Sequence, residues 1–371
     1  MKTGILTFQF ADNYGAVLQA YALMKYLSGL GAEAEIINYN NSIQRTVNRS
    51  TVNKLKSWLW AYVRRMIAGD GKHRFFEQFR REKLAICVPC LHNDQELERY
   101  LSDNGFDSVV VGSDQVWNPL ITGKDLSYLL HFQNEGIKKL SYAASFGQTK
   151  VEKEWVQSVV NSIKSFRAVS VRETTAKRIL KEGGATEEIA VVADPVFLLD
   201  GDEWGRLSEA LEFPKRKYLL CYIMPGDKTV ERAIEASAKK LSRERKLDII
   251  FLGRKEYKKF ANDGLDLVNA SPEEFISLFR NAEAILTNSF HGTAFSVIFE
   301  KEFYSFVNPS LAGESQLGSR ITDLLNELGL SDRCIQGVLG DPHDLDPEEV
   351  RRKRTAFVNR SKAYLHKALF D

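Results

Sequence analysis

The chain has 371 residues, with 51 Lys and Arg against 49 Asp and Glu, a formal net charge of +2. That balance excludes a uniformly basic nucleic-acid-coating surface and an acidic solvating chain. Hydrophobic residues at 44% and charged residues at 27% describe an ordinary globular protein long enough for two domains. Four Cys make no disulfide framework, and the pair Cys87/Cys90 lacks the second pair that a zinc site needs. Met1 runs straight into an apolar strand pattern with no leader-like segment, and no apolar stretch reaches spanning length, so a cytoplasmic protein is expected.

Gly4-Ile5-Leu6-Thr7-Phe8 reads as a buried first strand, followed by the polar loop Asp12-Asn13-Tyr14-Gly15. Val17, Leu18, Tyr21, Ala22, Met24 and Leu27 then recur at helical spacing, and Glu35 to Tyr39 is a second strand. This order is a βαβ unit, which implies a parallel sheet. Between Asn41 and Lys83 lies a basic insertion with eleven Lys or Arg against three acids. Its Leu55, Trp58, Leu59, Tyr62 and Met66 fall on one helical face. That face suits either packing on the first domain or contact with an anionic membrane surface.

Further strands are predicted at 107–111, 139–143, 168–171 and 190–192, the last running into Asp194-Pro195. A second set begins near Lys217, with strands at 218–223, 248–252 and 284–287, and helices at about 228–242 and 292–299. Ser271-Pro272-Glu273-Glu274 is a helix start with cap, N1 proline and N3 carboxylate in register. Asp346-Pro347-Glu348-Glu349 opens a last, basic helix. The expected fold is therefore α/β, with two Rossmann-like domains facing a cleft. Residues 1–205 form the first domain, with an insertion at about 41–95, and residues 206–340 the second. The helix at 341–371 is placed to pack back on the first domain. Open parallel sheets bind ligands beyond the carboxyl ends of their strands, so the cleft is the expected site.

Among six His, His291 stands out between a buried strand and a helix of small and apolar residues. Gly292 beside it lets a backbone approach a ligand, and helix-start N–H groups favour an anion. Such a His either serves a ligand or caps its own helix. Arg172 also follows a strand, where its fork suits a carboxylate or phosphate, or else an ion pair with Glu173 or another acid. In the loop Gly112 to Asn118, Gln115 and Asn118 are candidates for sugar hydroxyls and Trp117 for stacking on a sugar face. Asn13, Tyr14 and Gly15 head the first helix, where N–H groups hold anions. No Gly-rich dinucleotide fingerprint, phosphate loop or metal-spaced cluster is present, so no metal is expected.

Together these pieces resemble the polysaccharide pyruvyl transferase family. The resemblance runs through Asp12-Asn13-Tyr14-Gly15-Ala16, Gly112-Ser113-Asp114-Gln115-Val116-Trp117, Ser141 to Gly147, Ser170-Val171-Arg172-Glu173, Asp194-Pro195 and Asn288-Ser289-Phe290-His291-Gly292. It implies a fold like the GT-B glycosyltransferases. It also implies transfer of the enolpyruvyl group of phosphoenolpyruvate onto a sugar as a cyclic ketal, with phosphate released and no cofactor beyond that co-substrate. The acceptor is a free, nucleotide-linked or lipid-linked sugar. By motif His291 supplies a proton and Arg172 binds an anion, with Ser113, Asp114, Ser145, Ser289 and Gly292 beside the substrates. Family members often carry Arg where Ser289 stands, so either Arg320 or Arg254 takes its place or the donor differs. The competing expectations are a nucleotide-sugar glycosyltransferase and a non-catalytic carbohydrate-binding or assembly protein.

Overall fold

The computed structural model describes residues 1–40, 71–134, 136–208, 217–252, 270–308, 318–340 and 346–371. The aromatic face read at Leu55 to Met66 and the candidate Arg254 lie outside the described residues.

The first half opens with β1 (Lys2–Leu6), α1 (Tyr14–Gly29) and β2 (Glu33–Ile36). It continues through α2 (Gly71–Lys83), α3 (Asp94–Asp103), β3 (Ser108–Val111), the short α4 (Pro119–Thr122) and β4 (Lys138–Ser141). Next come α5 (Lys153–Ile163), β5 (Val169–Val171), α6 (Thr174–Glu182), β6 (Ile189–Val191) and α7 (Gly201–Arg206). The strands run parallel in the order β2-β1-β3-β4. Single bridges at Leu140–Ala168 and Ala144–Val171 pass that sheet on to the parallel pair β5-β6. Strand β3 is buried on both faces, as a parallel sheet covered by helices requires.

The second half carries β7 (Tyr218–Tyr222), α8 (Lys228–Arg245), β8 (Asp248–Leu252), α9 (Pro272–Asn281), β9 (Ala284–Thr287) and α10 (Phe290–Ile298). It ends with β10 (Glu302–Phe306), α11 (Gly318–Leu328), β11 (Cys334–Ile335) and α12 (Pro347–Phe370). Its sheet is also parallel, in the order β11-β10-β9-β7-β8. Helix α9 starts on the expected capping box, Ser271 with Glu274. Helix α10 is buried at every position, which its small and apolar sequence permits.

Helix α12 follows the second sheet in sequence but bonds to the first. Tyr364 donates to the Ser141 carbonyl, and Ser361 accepts from the Ala193 amide. Among the described residues no helix is long and apolar enough to cross a membrane.

Strand order reverses at β1/β3 in one sheet and at β7/β9 in the other. In open α/β sheets such switch points open the crevices where ligands bind. The loops after β1, β3 and β9 hold most of the residues singled out by sequence.

Candidate active site

Buried polar groups chain outward from the first switch point. Gln19 donates to Thr7 Oγ1 at 2.8 Å, and Thr7 donates to the Ser113 carbonyl at 2.9 Å. Ser113 Oγ in turn donates to Asp194 Oδ2 at 2.7 Å. Asp194 is the hub: Arg172 Nη1 donates to the same oxygen at 2.9 Å, and His291 Nε2 stands 3.7 Å from it. The other oxygen caps the turn that follows, accepting from Val196 N at 3.1 Å. Burial alone would raise the Asp194 carboxyl, but the facing His291 and the Arg172 guanidinium hold it well below the usual carboxylate range.

Arg172 extends from the end of β5. Burial opposes its charge, and Asp194, Glu173 and Asp114 more than offset that opposition. Its guanidinium lies over the Phe290 ring at 4.4 Å, with Glu173 Oε2 at 3.5 Å from Nε. Asp114, with φ +73°, reaches only to 4.0 Å from Nη2. That nitrogen is buried and has no hydrogen-bond partner. Glu173 is itself anchored by Ser145 Oγ at 2.5 Å.

His291 comes from the second sheet. Thr287 Oγ1 donates to the Tyr222 carbonyl and accepts from Ser289 N, while Asn288 exchanges two hydrogen bonds with Met224. These bonds fix the β9 loop to the β7 loop. Ser289, not His291, caps α10 by accepting from Gly292 N. Gly292 is required because a β-carbon there would meet Thr287 Oγ1 at 2.4 Å. The imidazole is thus free of helix capping, and its buried Nε2 has no hydrogen-bond partner. Its other edge rests on Gly15, where a β-carbon would lie 2.0 Å from Nδ1.

Arg320, on α11, is buried, and its Nε also lacks a hydrogen-bond partner. Desolvation first, then the like charge of Arg172, push it down to about 10, against the pull of Glu173, Asp114 and Asp194. Arg320 therefore belongs to the same charge cluster as Arg172.

Several sequence candidates take other places. Trp117 is fully buried, donates to the Tyr128 carbonyl and packs on Phe146, so it has no face for a sugar. Its apolar bulk wins it for the core. Tyr14 is buried too, stacked on Phe275 at 4.5 Å with its hydroxyl donating to the Ala270 carbonyl. It joins α1 to α9 and is no anion ligand. Asn13 spends its side chain capping α1. Asn118 caps α4, donates to Gln115 Oε1 and accepts from Gln148, so its amide is already satisfied. Gln115 is the half-exposed end of that amide chain.

Sequence reading passed over Asp194 and Glu173 as site groups. The signal for Asp194 was an acid followed by Pro at a strand's carboxyl end. Among the described residues no group of three or more His, Cys, Asp or Glu is arranged to hold a metal ion.

Two parallel α/β sheets meeting through the loops of their switch points form a fold of the GT-B-like class. The UDP-GlcNAc 2-epimerase of Methanocaldococcus jannaschii is similar over 97% of this chain and 93% of its own, with a TM-score of 0.51 and 16% identity. The UDP-GlcNAc 2-epimerase of Neisseria meningitidis, solved bound to UDP-GlcNAc, is similar over 100% and 95%, with a TM-score of 0.51 and 11% identity. No curated protein sequence matches. The family model for polysaccharide pyruvyl transferase matches residues 13–310, and the chain belongs to that family. Membership makes it an enzyme of polysaccharide pyruvylation, with a pyruvate donor and a sugar acceptor.

Proposed function

We propose that the chain moves the enolpyruvyl group of phosphoenolpyruvate onto two hydroxyls of one sugar, forming a cyclic ketal and releasing phosphate. The observation that carries this reading is a set of buried nitrogens without hydrogen-bond partners: Arg172 Nη2, Arg320 Nε and His291 Nε2. Groups left so are costly until a ligand completes them. A carboxylate and a phosphate on one small molecule are suited to two guanidiniums. Arg320 supplies the second charge that Ser289 does not.

Arg172 and Arg320 face three acids, Asp114, Glu173 and Asp194. The acids outnumber the two guanidiniums by one, and His291 stands beside one of them, 3.7 Å from Asp194. Protonated His291 both favours the anionic donor and carries the proton that the reaction needs.

His291 gives that proton to the methylene carbon, leaving an oxocarbenium-like C2. One sugar hydroxyl forms a bond to C2, and its proton returns to the imidazole. The second hydroxyl then bonds to C2 as the bond to the phosphate oxygen breaks, and its proton leaves as hydrogenphosphate. Asp194 stabilises the imidazolium and holds Arg172 without touching substrate. Gln115 is the available amide for an acceptor hydroxyl. No cofactor enters this sequence. The basic insertion at 41–83 suits an acceptor carried at an anionic membrane face, and equal binding to neutral and anionic vesicles would contradict that placement.

The test is incubation with phosphoenolpyruvate and a panel of free, nucleotide-linked and lipid-linked sugars, following phosphate and acceptor mass. Phosphate release with a pyruvate adduct supports the reading. Sugar transfer from a nucleotide sugar, with phosphoenolpyruvate untouched, contradicts it.

A further inference from the structure

Helix α2 closes the end of the basic insertion and lies outside the cluster just described. Its sequence sets three Phe among basic residues, and the two buried ones, Phe76 and Phe79, seat it. Phe76 packs on Tyr14 at 5.1 Å and Phe79 on Tyr21 at 5.9 Å, so α2 lies along α1. That leaves Arg80 buried beneath the loop between β1 and α1.

The Arg80 fork is spent on that loop. Nη1 donates to the carbonyls of Gln9, Phe10 and Ala11, at 3.5, 3.4 and 3.4 Å. Nη2 donates to Asp12 Oδ1 at 2.9 Å and to Glu77 at 2.7 Å. His73, two turns earlier on the same helical face, meets the other Asp12 oxygen at 2.7 Å. Four consecutive residues are thus gathered on one guanidinium. Lysine has no planar fork with which to reproduce this.

The next residues are Asn13, which caps α1, Tyr14, which is pinned to α9, and Gly15, which touches the His291 ring. The loop has no side chain of its own at Gly15 with which to hold that contact. Its position is set from both sides, by Arg80 before it and by Tyr14 within it.

We infer that Arg80 is a positioning residue for His291, acting through the β1–α1 loop to fix the Nδ1 edge of the imidazole. This rests on His291 being the reacting group, as proposed above. The geometric part stands whatever reaction the imidazole performs. Asp194 stands on the Nε2 side of the ring, paired with Arg172, and is not among the groups that Arg80 holds.

The experiment compares wild type, Arg80→Lys and Asp12→Asn. It reads the His291 imidazole cross-peak in a histidine-labelled, ligand-free protein, and then kcat and KM for phosphoenolpyruvate. In Arg80→Lys the His291 cross-peak moves while those of His131 and His366 stay. kcat falls by about 10- to 100-fold with KM within about twofold, because the anion-binding guanidiniums are unchanged. Asp12→Asn, at an exposed position, shows the same pattern at smaller size and serves if Arg80→Lys does not fold. A folded variant whose His291 cross-peak coincides with wild type overturns the inference, as does an effect confined to KM. The cross-peak needs no substrate, so absence of pyruvyl transfer in the wild type would count against the proposed reaction without touching this result.

Discussion

Gly15 and His291 come from opposite switch points and touch directly: a β-carbon on Gly15 would lie 2.4 Å from the ring's Cε1 and 2.6 Å from Cγ. The first sheet thereby sets the ring of the second. Gly15→Ala forces the imidazole or the start of α1 to move. Overpacking of this kind costs about 1–3 kcal/mol. Activity is expected to fall by about 100-fold, since a displacement of about 1 Å at a reacting group has that effect. Thermal unfolding and steady-state kinetics on the same preparation check both parts.

Asp194→Asn removes the charge that Arg172 and His291 share. Breaking a buried pair from one side costs about 3–5 kcal/mol. The pH dependence follows from the lowered carboxyl. A group depressed in the folded state stabilises above its unfolded value, about 3.9, and that contribution is lost as pH falls towards the folded value. Urea unfolding should show the wild type losing stability faster than Asp194→Asn from about pH 4 down to about pH 2. Parallel curves would contradict the pairing.

Arg320→Met separates binding from stability. The wild-type guanidinium is desolvated beside Arg172, so folding works against its charge. An apolar chain of similar length should leave stability unchanged or raise it by about 1 kcal/mol. The KM for phosphoenolpyruvate should rise at least about tenfold, the loss of one charge-assisted contact. Calorimetric unfolding and initial rates decide it, and an unaltered KM would remove Arg320 from the donor site.

Tyr14→Phe deletes the bond to the Ala270 carbonyl and keeps the stack on Phe275. A loss of about 1 kcal/mol is expected, the usual net value of one buried hydrogen bond. The donor KM should stay within about twofold. A large rise in KM would restore Tyr14 as an anion ligand.

The fold was legible because parallel strands are buried on both faces and announce themselves as apolar runs. Residues 248–252 and 284–287 form strands with the expected bounds, and the Ser271 capping box opens α9. Helices α2 and α3 escaped the reading because their apolar positions are sparse among charged ones, whereas α5 was missed although Trp155, Val156, Val159, Val160 and Ile163 form one buried face. Of the site, Arg172, Arg320 and Asp114 were visible and share one cluster, with His291 beside Asp194. Trp117 and Tyr14 misled, since an aromatic residue in a polar loop reads alike whether it faces a ligand or the core. Asp194 was missed because its role depends on Ser113, Arg172 and His291, which meet only after folding. Arg80 was hidden for the same reason: three of its partners are backbone carbonyls, which leave no mark in a sequence.

The most direct test is the rate of phosphate release from phosphoenolpyruvate, with a competent acceptor, for wild type and His291→Ala. The prediction is ketal formation by the wild type and a loss of about 100-fold or more in His291→Ala, the usual worth of a general acid. In D2O the wild-type ketal should carry one deuterium in its methyl group, marking delivery of a proton to the former methylene carbon. Ketal formation by His291→Ala at the wild-type rate would contradict the account.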